Sequence, residues 1–183
     1  TLLGHEVRLY SRWERDFEAI TSTGGIELSG DVEGRAAKPL LTTDLVTAVR
    51  GADTIIVAAP AFAHAYFSEQ LAALLEPGQL VVFQPGVLGS SLELARHFAL
   101  AQRRPCLIAE TATSLYTCRL RGPAKVFIGA IKQAVPLATI PHAACQEALA
   151  RLSPYFGNRY VDGTDTLSVG LGNCNAIYHV PPA

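Results

Sequence analysis

Short apolar runs that alternate with segments of helical periodicity constrain the fold of this chain most strongly. Almost continuous apolar runs are typical of parallel strands that helices cover on both faces. Because strand and helix patterns alternate, we predict an α/β fold with a doubly wound, mostly parallel sheet, in which the second run is a central strand. The strand-like runs lie at residues 6–10, 53–58, 79–83 and 106–109, and helical patterns follow at 12–20, 61–75 and 90–101.

Turn and cap signals predict the remaining elements. Ser90 is expected to cap the helix at 90–101, with Glu93 at its third position. A domain boundary is predicted near Asp162. The other predictions are a hairpin within 25–41, a helix at 45–49 entered through Thr43 and Asp44, an antiparallel hairpin of 116–120 and 125–131 added to the sheet edge, a helix at 142–152, a linker-like turn at 161–163, and a helix at 164–178 leading away from the sheet.

Composition excludes several classes of protein. Of the 183 residues, 49% are hydrophobic and 17% are charged, with a formal net charge of -1, which is typical of a globular domain and unlike a nucleic-acid binder. No apolar run reaches the roughly 18 residues that a bilayer-spanning helix needs, so we expect a cytoplasmic protein without membrane contact. The four cysteines are widely spaced without a CxxC pair, so neither a metal site nor a disulfide framework is expected.

Residues just after each predicted strand are the candidates for ligand binding, because open α/β sheets bind ligands beyond the carboxyl ends of their strands. Small residues and prolines there let a flat ligand approach the backbone, although ordinary tight turns have the same composition. Glu110 ends a buried strand, so its carboxylate either faces a ligand or accepts hydrogen bonds from backbone amides. His64 either contacts a ligand or only begins its helix. The candidates are Ser11, Arg12, Ala59, Pro60, Ala61, His64, Gln84 and Glu110.

Ser11 and Arg12 bear on the choice of cofactor. In dinucleotide-binding folds an acidic residue after the second strand holds the ribose 2′-hydroxyl, whereas a serine and an arginine suit a 2′-phosphate. The pair therefore favours NADP over NAD, although an arginine at the start of a surface helix is also a common solvated side chain.

Both ends of the chain have the pattern of a truncated domain. Residues 1–5 are typical of a helix end, and the chain stops at Ala183 directly after a polar cluster. No GxGxxG turn occurs in a strand-turn-helix setting, and the motifs GxxxxGK[ST], GxSxG and HExxH are absent from the sequence. We expect a fragment whose glycine-rich phosphate-binding turn lies upstream of residue 1.

The polar cluster near the carboxyl end contains the strongest candidates for catalysis. Asn175 and His179 are four residues apart, so on a helix both side chains would leave the same face. An imidazole has an ordinary pKa of about 6.5, so it can donate or accept a proton at neutral pH. A histidine at a helix end also interacts favourably with the last carbonyl groups, so a structural role remains open.

The chain resembles the opine dehydrogenases, the octopine and nopaline dehydrogenase family. The resemblance runs in order along nearly all of the sequence, and no single segment carries it alone. The matching segments are residues 2–12, 24–28, 60–64, 84–86, 110–111 with 116–119, and Asn173, Cys174, Asn175, His179 and Pro181.

This resemblance implies an NAD(P)H-dependent reductive condensation of an amino acid's amine with an α-keto acid, or the reverse oxidation. It implies a partial, Rossmann-like NAD(P)-binding domain over residues 1–162, lacking its first strand, and the start of an α-helical substrate domain at 163–183. His179 matches the family's catalytic histidine, and its partner aspartate would lie beyond residue 183. The implied partners are an amino acid and an α-keto acid, and a homodimer is one assembly to expect.

Cys118 and Arg119 are the remaining candidates. An arginine can hold a substrate carboxylate with two hydrogen bonds, and a neighbouring arginine can lower a thiol pKa, but a strand on the sheet edge also accommodates both residues without function. Two alternatives to the opine dehydrogenase function stay open. One is a reductase similar to ketopantoate reductase or glycerol-3-phosphate dehydrogenase, and the other is a nucleotide-binding regulatory domain without catalysis.

Overall fold

The computed structural model describes residues 3–86 and 88–173, which divide into two compact units. The first unit comprises described residues up to Gly51 together with Tyr116–Lys132. The second comprises those of Ala52–Leu115 and those from Gln133 onward. None of the helices within the described ranges has the length and hydropathy that crossing a bilayer requires.

Two small sheets form the first unit. Strands β1 (Arg8–Tyr10) and β4 (Leu40–Thr42) pair in parallel, and between them the chain forms helix α1 (Glu18–Thr23) and the antiparallel hairpin β2 (Gly25–Gly30) and β3 (Gly34–Ala37). Helix α2 (Leu45–Val49) follows β4, and the Asp44 carboxylate accepts hydrogen bonds from its first turn. A second antiparallel hairpin, β8 (Tyr116–Gly122) and β9 (Lys125–Ile131), completes a four-stranded sheet in the order β3-β2-β9-β8.

A five-stranded sheet forms the centre of the second unit, in the order β11-β10-β7-β6-β5. Strands β5, β6 and β7 are parallel, β10 is antiparallel to β7, and β11 is parallel to β10. The elements are β5 (Thr54–Val57), α3 (His64–Leu74), β6 (Leu80–Phe83), α4 (Ser90–Leu100), β7 (Leu107–Thr111), β10 (Val135–Ile140), α5 (Cys145–Phe156), β11 (Tyr160–Asp162) and α6 (Thr166–Leu171).

The core of the second unit is built on β6. All four of its residues, Leu80–Phe83, are completely buried, which is the burial that a strand covered on both faces requires. Helices α3 and α4 pack on each other, α5 packs on β10 and β11, and α6 packs on β7 and β10. Complete burial of one leucine stabilises the fold by about 1.5–3 kcal/mol, so this unit holds most of the apolar stabilisation.

The predicted α/β class with parallel strands is confirmed. Among the described strands β5 pairs with β6 alone, so it is an edge strand of the five-stranded sheet. Three of its residues, Thr54, Ile55 and Ile56, are therefore half-buried. The apolar run correctly predicted a strand, and its central place in a sheet that includes the first strand expected to be missing stays a prediction.

The hairpin of β8 and β9 was predicted to extend the main sheet, and this prediction is wrong. Strand β9 pairs in parallel with β2, with Glu27 beside Lys125, so the hairpin belongs to the first unit. Pairing between strands far apart in sequence has no local signal. The sequence also did not predict β4, β10 and β11, and residues 161–162 of the predicted linker-like turn belong to β11.

Helix α6 ends earlier than predicted. Asp165 accepts the Ser168 amide hydrogen bond at its start, and the helix stops at Leu171 instead of continuing to residue 178. Gly170 and Gly172 explain the stop, because glycine is a poor helix former. The helix packs on the sheet through the buried Val169 instead of leading away from it.

Candidate functional site

The three parallel strands of the second unit end in one row. Val57 lies beside Phe83 and Phe83 lies beside Glu110 in the register of β5, β6 and β7. The chain continues to pair just beyond this row, since the Gln84 amide donates to the Val57 carbonyl over 3.0 Å and the Gly86 amide donates to the Thr111 carbonyl over 2.8 Å. The segments that follow the three strands therefore start from one edge of the sheet, which we call the strand-end row.

The 58–63 loop follows β5 and contains three of the predicted cofactor contacts. Ala59 is half-buried, Pro60 and Ala61 are exposed, and a 3₁₀ turn over Ala61–Ala63 leads directly into α3. Phe62, which the sequence analysis did not select, is 88% exposed. An exposed aromatic ring on a short loop that contains a 3₁₀ turn is suited to contact a planar ligand.

His64 is buried at the start of α3, and both nitrogens of its ring have protein partners. Nε2 lies 2.9 Å from the Ala59 carbonyl oxygen, and Nδ1 lies 2.7 Å from the Ser90 hydroxyl oxygen. Its ring also packs against Phe83 with a centroid separation of 5.3 Å. A carbonyl only accepts hydrogen bonds, so Nε2 carries the hydrogen, and in the neutral ring Nδ1 accepts from Ser90.

This contact corrects the predicted role of Ser90. The residue before α4 is Gly89, and no side chain caps the helix from that position. Ser90 is the first residue of the helix, and its hydroxyl bonds to His64. The local pattern of serine followed by Glu93 resembles a capping box, but the bond to His64 is made by a residue distant in sequence.

Glu110 accepts the kind of hydrogen bond at the start of α4 that an N-cap side chain usually accepts. Its side chain is completely buried, and Oε2 accepts a 2.8 Å hydrogen bond from the Ser91 amide in the first turn of the helix. Burial raises the pKa of the Glu110 carboxyl group, and the hydrogen bonds from Ser91 oppose this rise. Oε1 has no hydrogen-bond partner among the described residues. The carboxyl group thus fixes the helix start and keeps one polar oxygen unpaired.

Gly86 allows this arrangement by its lack of a side chain. A Cβ atom added there would lie 2.6 Å from the Glu110 Cβ atom, closer than two carbon atoms can approach. Nearby, the Gln84 side-chain oxygen accepts a hydrogen bond from the Tyr160 hydroxyl of β11. The turn after β6 is therefore packed closely on the end of β7 and tied to the far strand of the sheet.

Ser11 and Arg12 follow β1 in the first unit. The Ser11 hydroxyl donates to the Asp16 carboxylate and accepts from the Trp13 amide over 3.3 Å. Arg12 is exposed, and its guanidinium lies over the Trp13 ring at 5.4 Å from the centroid. The predicted role of these two residues in recognising a 2′-phosphate stays a prediction.

Cys118 and Arg119 lie on β8, in the four-stranded sheet of the first unit. Both are exposed, and the Arg119 guanidinium donates to the Cys118 carbonyl over 3.1 Å. Successive residues of a strand point to opposite faces, so the two side chains do not share a face. Their predicted role in holding a substrate carboxylate stays a prediction.

The predicted catalytic residues Asn175 and His179 lie outside the described residues. Within the described part of the chain, no group of three histidine, cysteine, aspartate or glutamate residues could hold a metal ion. Burial raises the pKa of the Cys106 and Cys145 thiols to about 11, so neither thiol is reactive near neutral pH.

No family model matches the sequence. The opine dehydrogenase of Arthrobacter sp. (strain 1C) is 33% identical over 174 residues, which are 93% of this chain and 48% of that protein. The chain belongs to the opine dehydrogenase family. It spans about half the length of this relative.

Solved structures give the same fold for the family. An octopine dehydrogenase bound to NADH and L-arginine matches with a TM-score of 0.80 and 20% identity, over 96% of this chain and 46% of that one. A yersinopine dehydrogenase with bound NADP+ matches with a TM-score of 0.73 and 18% identity, over 95% and 45%. A 2-dehydropantoate 2-reductase from Enterococcus faecalis has a TM-score of 0.63 and 18% identity, over 89% and 51%. The Rossmann-like fold predicted from the resemblance is therefore confirmed.

Sequence reasoning located the strand ends of this family member but missed the residues that connect them. Ser91 and Tyr160 were not selected, and Ser90 was selected only as a cap. A serine pair directly after a glycine at a helix start was the available signal for Ser90 and Ser91. Tyr160 gave no signal, because its strand has only three residues.

Proposed function

We propose that the protein containing this chain is an NAD(P)H-dependent oxidoreductase of the opine dehydrogenase type. The reaction joins the amine of an amino acid to the carbonyl carbon of an α-keto acid with loss of water, and the resulting imine is reduced to a secondary amine by a hydride and a proton. The reverse oxidation is the same reaction read backwards. Family membership supports the proposal.

The observation that carries the proposal is the strand-end row of the second unit. Three parallel strands end within one residue of the same row, and the segments after them offer small residues, a proline and backbone groups. Open parallel sheets bind flat dinucleotides at such an edge. The residue types after β5 fit a nicotinamide cofactor, because no long side chain of Ala59, Pro60 or Ala61 covers the backbone. We infer that these three residues and Gln84 contact the cofactor, near His64 and Glu110.

We place the binding of NAD(P)H in residues 1–162 and the start of the substrate domain at 163–183. Related structures contain NADH in one case and NADP+ in another, so a nicotinamide cofactor of either kind is supported. Ser11 and Arg12 are the proposed contacts of an adenosine 2′-phosphate, which favours NADP. Cys118 and Arg119 are the proposed contacts of a substrate carboxylate.

His179 is the proposed acid and base, and Asn175 is proposed to orient the imidazole or the substrate by hydrogen bonds. The bound cofactor supplies the hydride. An imidazole can donate the accompanying proton to the substrate nitrogen, or remove it in the reverse direction. General acid-base catalysis of this kind typically contributes about 10²- to 10⁴-fold to the rate.

The test follows the oxidation of NADPH and NADH by the complete gene product, with pyruvate and a panel of amino acids that includes L-arginine. We expect oxidation only when an amino acid and the keto acid are both present, and none with the amino acid alone. Oxidation with a keto acid alone would indicate a simple keto-acid reductase, and cofactor binding without turnover would indicate a regulatory domain. Either result would contradict the proposal.

A pair of histidine variants tests the residue assignment. His179→Ala should lower kcat by about 10²- to 10⁴-fold. His142→Ala, which removes an exposed imidazole 4.0 Å from Asp162, should leave kcat within about twofold. An unchanged kcat in His179→Ala would remove His179 from the mechanism.

A further inference from the structure

The imidazole of His64 connects three elements of the second unit. It bonds to the Ala59 carbonyl in the 58–63 loop, to the Ser90 hydroxyl at the start of α4, and packs on Phe83 at the end of β6. It is 4% exposed, and Ser90 is 5% exposed. A ring whose two nitrogens are engaged in buried hydrogen bonds has no remaining hydrogen-bonding atom for a ligand.

The loop that His64 holds has an outer surface that faces solvent. Ala58, Pro60 and Ala61 are exposed, and Phe62 is 88% exposed. Within the loop, the Ala63 amide donates to the Pro60 carbonyl over 2.9 Å. This loop needs an anchor because its own residues bury little surface. The His64 bonds to Ala59 and Ser90 supply one.

We propose that His64 is a positioning residue, which locks the 58–63 loop onto α4 and thereby holds the loop in the shape that binds the nicotinamide cofactor. The inference rests on the proposed function, and it assigns His64 an indirect role in place of a direct contact with the cofactor. The Ser90 hydroxyl is the group on α4 to which His64 bonds. Holding a loop in its bound shape before binding raises affinity because less conformational entropy is lost on binding.

The two hydrogen bonds can be separated by substitution. An asparagine side chain can place an oxygen near the position of Nδ1, so His64→Asn preserves the bond to Ser90 and loses the one to Ala59. A glutamine side chain reaches as far as Nε2, so His64→Gln preserves the bond to Ala59 and loses the one to Ser90. Ser90→Ala removes the Ser90 bond without changing the imidazole.

The experiment uses the complete gene product and measures the Kd for NADPH and NADH by cofactor fluorescence, with the cofactor KM and kcat at saturating substrates. His64→Ala should raise Kd and KM by about tenfold, because two buried hydrogen bonds are lost. Ser90→Ala, His64→Asn and His64→Gln should each raise them by about threefold. In all four variants kcat at saturating cofactor should stay within about twofold. His97→Gln, which alters a half-buried histidine paired with Glu93 on α4, is the matched control and should leave all three constants unchanged.

The double variant His64→Ala with Ser90→Ala completes the test. If Ser90 acts only through its hydrogen bond to His64, the double variant should bind cofactor no more weakly than His64→Ala alone. A large loss of kcat in His64→Ala, or a Ser90→Ala protein with unchanged Kd, would overturn the inference in favour of a direct role for the imidazole. If His64→Ala does not fold, the Asn, Gln and Ser90 variants decide the question. Wild-type protein that binds neither cofactor would overturn the proposed function as well, whereas tight wild-type binding with unchanged variants would overturn the inference alone.

Discussion

The second unit buries its strands, whereas the first unit leaves much of its strands exposed. Every residue of β6 is completely buried, while the five residues from Thr117 to Arg121 of β8 are exposed, with Leu120 at 77%. Buried strands are fixed by packing on both faces, and exposed strands are fixed chiefly by pairing along their edges. The comparison teaches that the candidate residues of the second unit have positions set by its core. Those of the first unit, such as Arg12 and Arg119, are exposed.

The largest expected difference between the units is in core packing. Leu94 in α4 is 0% exposed, so Leu94→Ala should lower the free energy of unfolding by about 2–5 kcal/mol through lost burial and the cavity left behind. Leu120→Ala in β8 is the matched control and should change it by about 0.5 kcal/mol or less. Urea unfolding followed by circular dichroism measures both. Equal losses would contradict the contrast between the two units.

The same contrast explains how much of the fold was predictable from the sequence. Strands β6 and β7 were predicted because buried strands require apolar residues, and β5 was predicted from its apolar run although three of its residues are half-buried. The exposed first unit has no such requirement, so the parallel pairing of β2 with β9 left no local pattern. Strands β10 and β11 were missed although they lie in the second unit, because β11 is only three residues long and β10 contains Pro136.

The candidate site also has some features that a local sequence pattern predicts and others that depend on distant residues. Position after a predicted strand was enough to select Ala59, Pro60 and Gln84. The pairing of His64 with Ser90 and of Glu110 with Ser91 was not predictable, because each joins residues separated by 19 or more positions. A local rule assigned Ser90 to its own helix, whereas the fold uses its hydroxyl to hold His64. Sequence patterns therefore selected the candidate residues, and only the tertiary structure showed which partners they bond to.

An intermediate difference in the free energy of unfolding is expected between variants of the buried carboxylate of Glu110 and of the exposed carboxylate of Glu27. Glu110→Ala should lower the free energy of unfolding by about 1–3 kcal/mol, because the buried Ser91 amide loses its acceptor. Glu110→Gln keeps an acceptor oxygen and should cost less. In the first unit, Glu27→Gln removes an exposed ion pair with Lys125 at 3.0 Å, and should change the free energy of unfolding by about 0–1 kcal/mol.

The pH dependence of the free energy of unfolding tests the burial of the Glu110 carboxyl group more directly. Because burial raises the pKa of Glu110 in the folded state, the unfolded state loses its proton first as the pH rises. The stability that the protonated group contributes is therefore complete below the unfolded pKa and is lost as the pH rises through the folded pKa. Glu110→Gln cannot ionise, so its stability relative to wild type should increase over that pH range. Urea unfolding at several pH values measures the difference, and a constant difference would contradict burial of the ionisable group.

The smallest expected effect compares one helix cap from each unit. Asp44 caps α2 and Asp165 caps α6, and hydrogen bonds lower the pKa of both carboxyl groups, chiefly the Thr47 side chain for Asp44 and the Ser168 amide for Asp165. A lowered folded pKa means that the stabilisation is present above the unfolded pKa and is lost as the pH falls through the folded value. Asp→Ala at either position should lower Tm at neutral pH, and Asp→Asn should lower it less because asparagine also caps helices.

The two caps should differ in size because their helices differ in packing. Helix α6 places Val169 in a buried cluster with Ala112 and Ala138, so loss of the Asp165 cap loosens a helix on which the core of the second unit depends. Helix α2 has five residues, of which Val49 alone is buried, so loss of the Asp44 cap should be absorbed by local fraying. Thermal unfolding at neutral pH should therefore show a larger fall in Tm for Asp165→Ala than for Asp44→Ala, and both differences from wild type should shrink near pH 3. A larger fall for Asp44→Ala would mean that the exposed first unit, and not the buried second one, limits the stability of the protein.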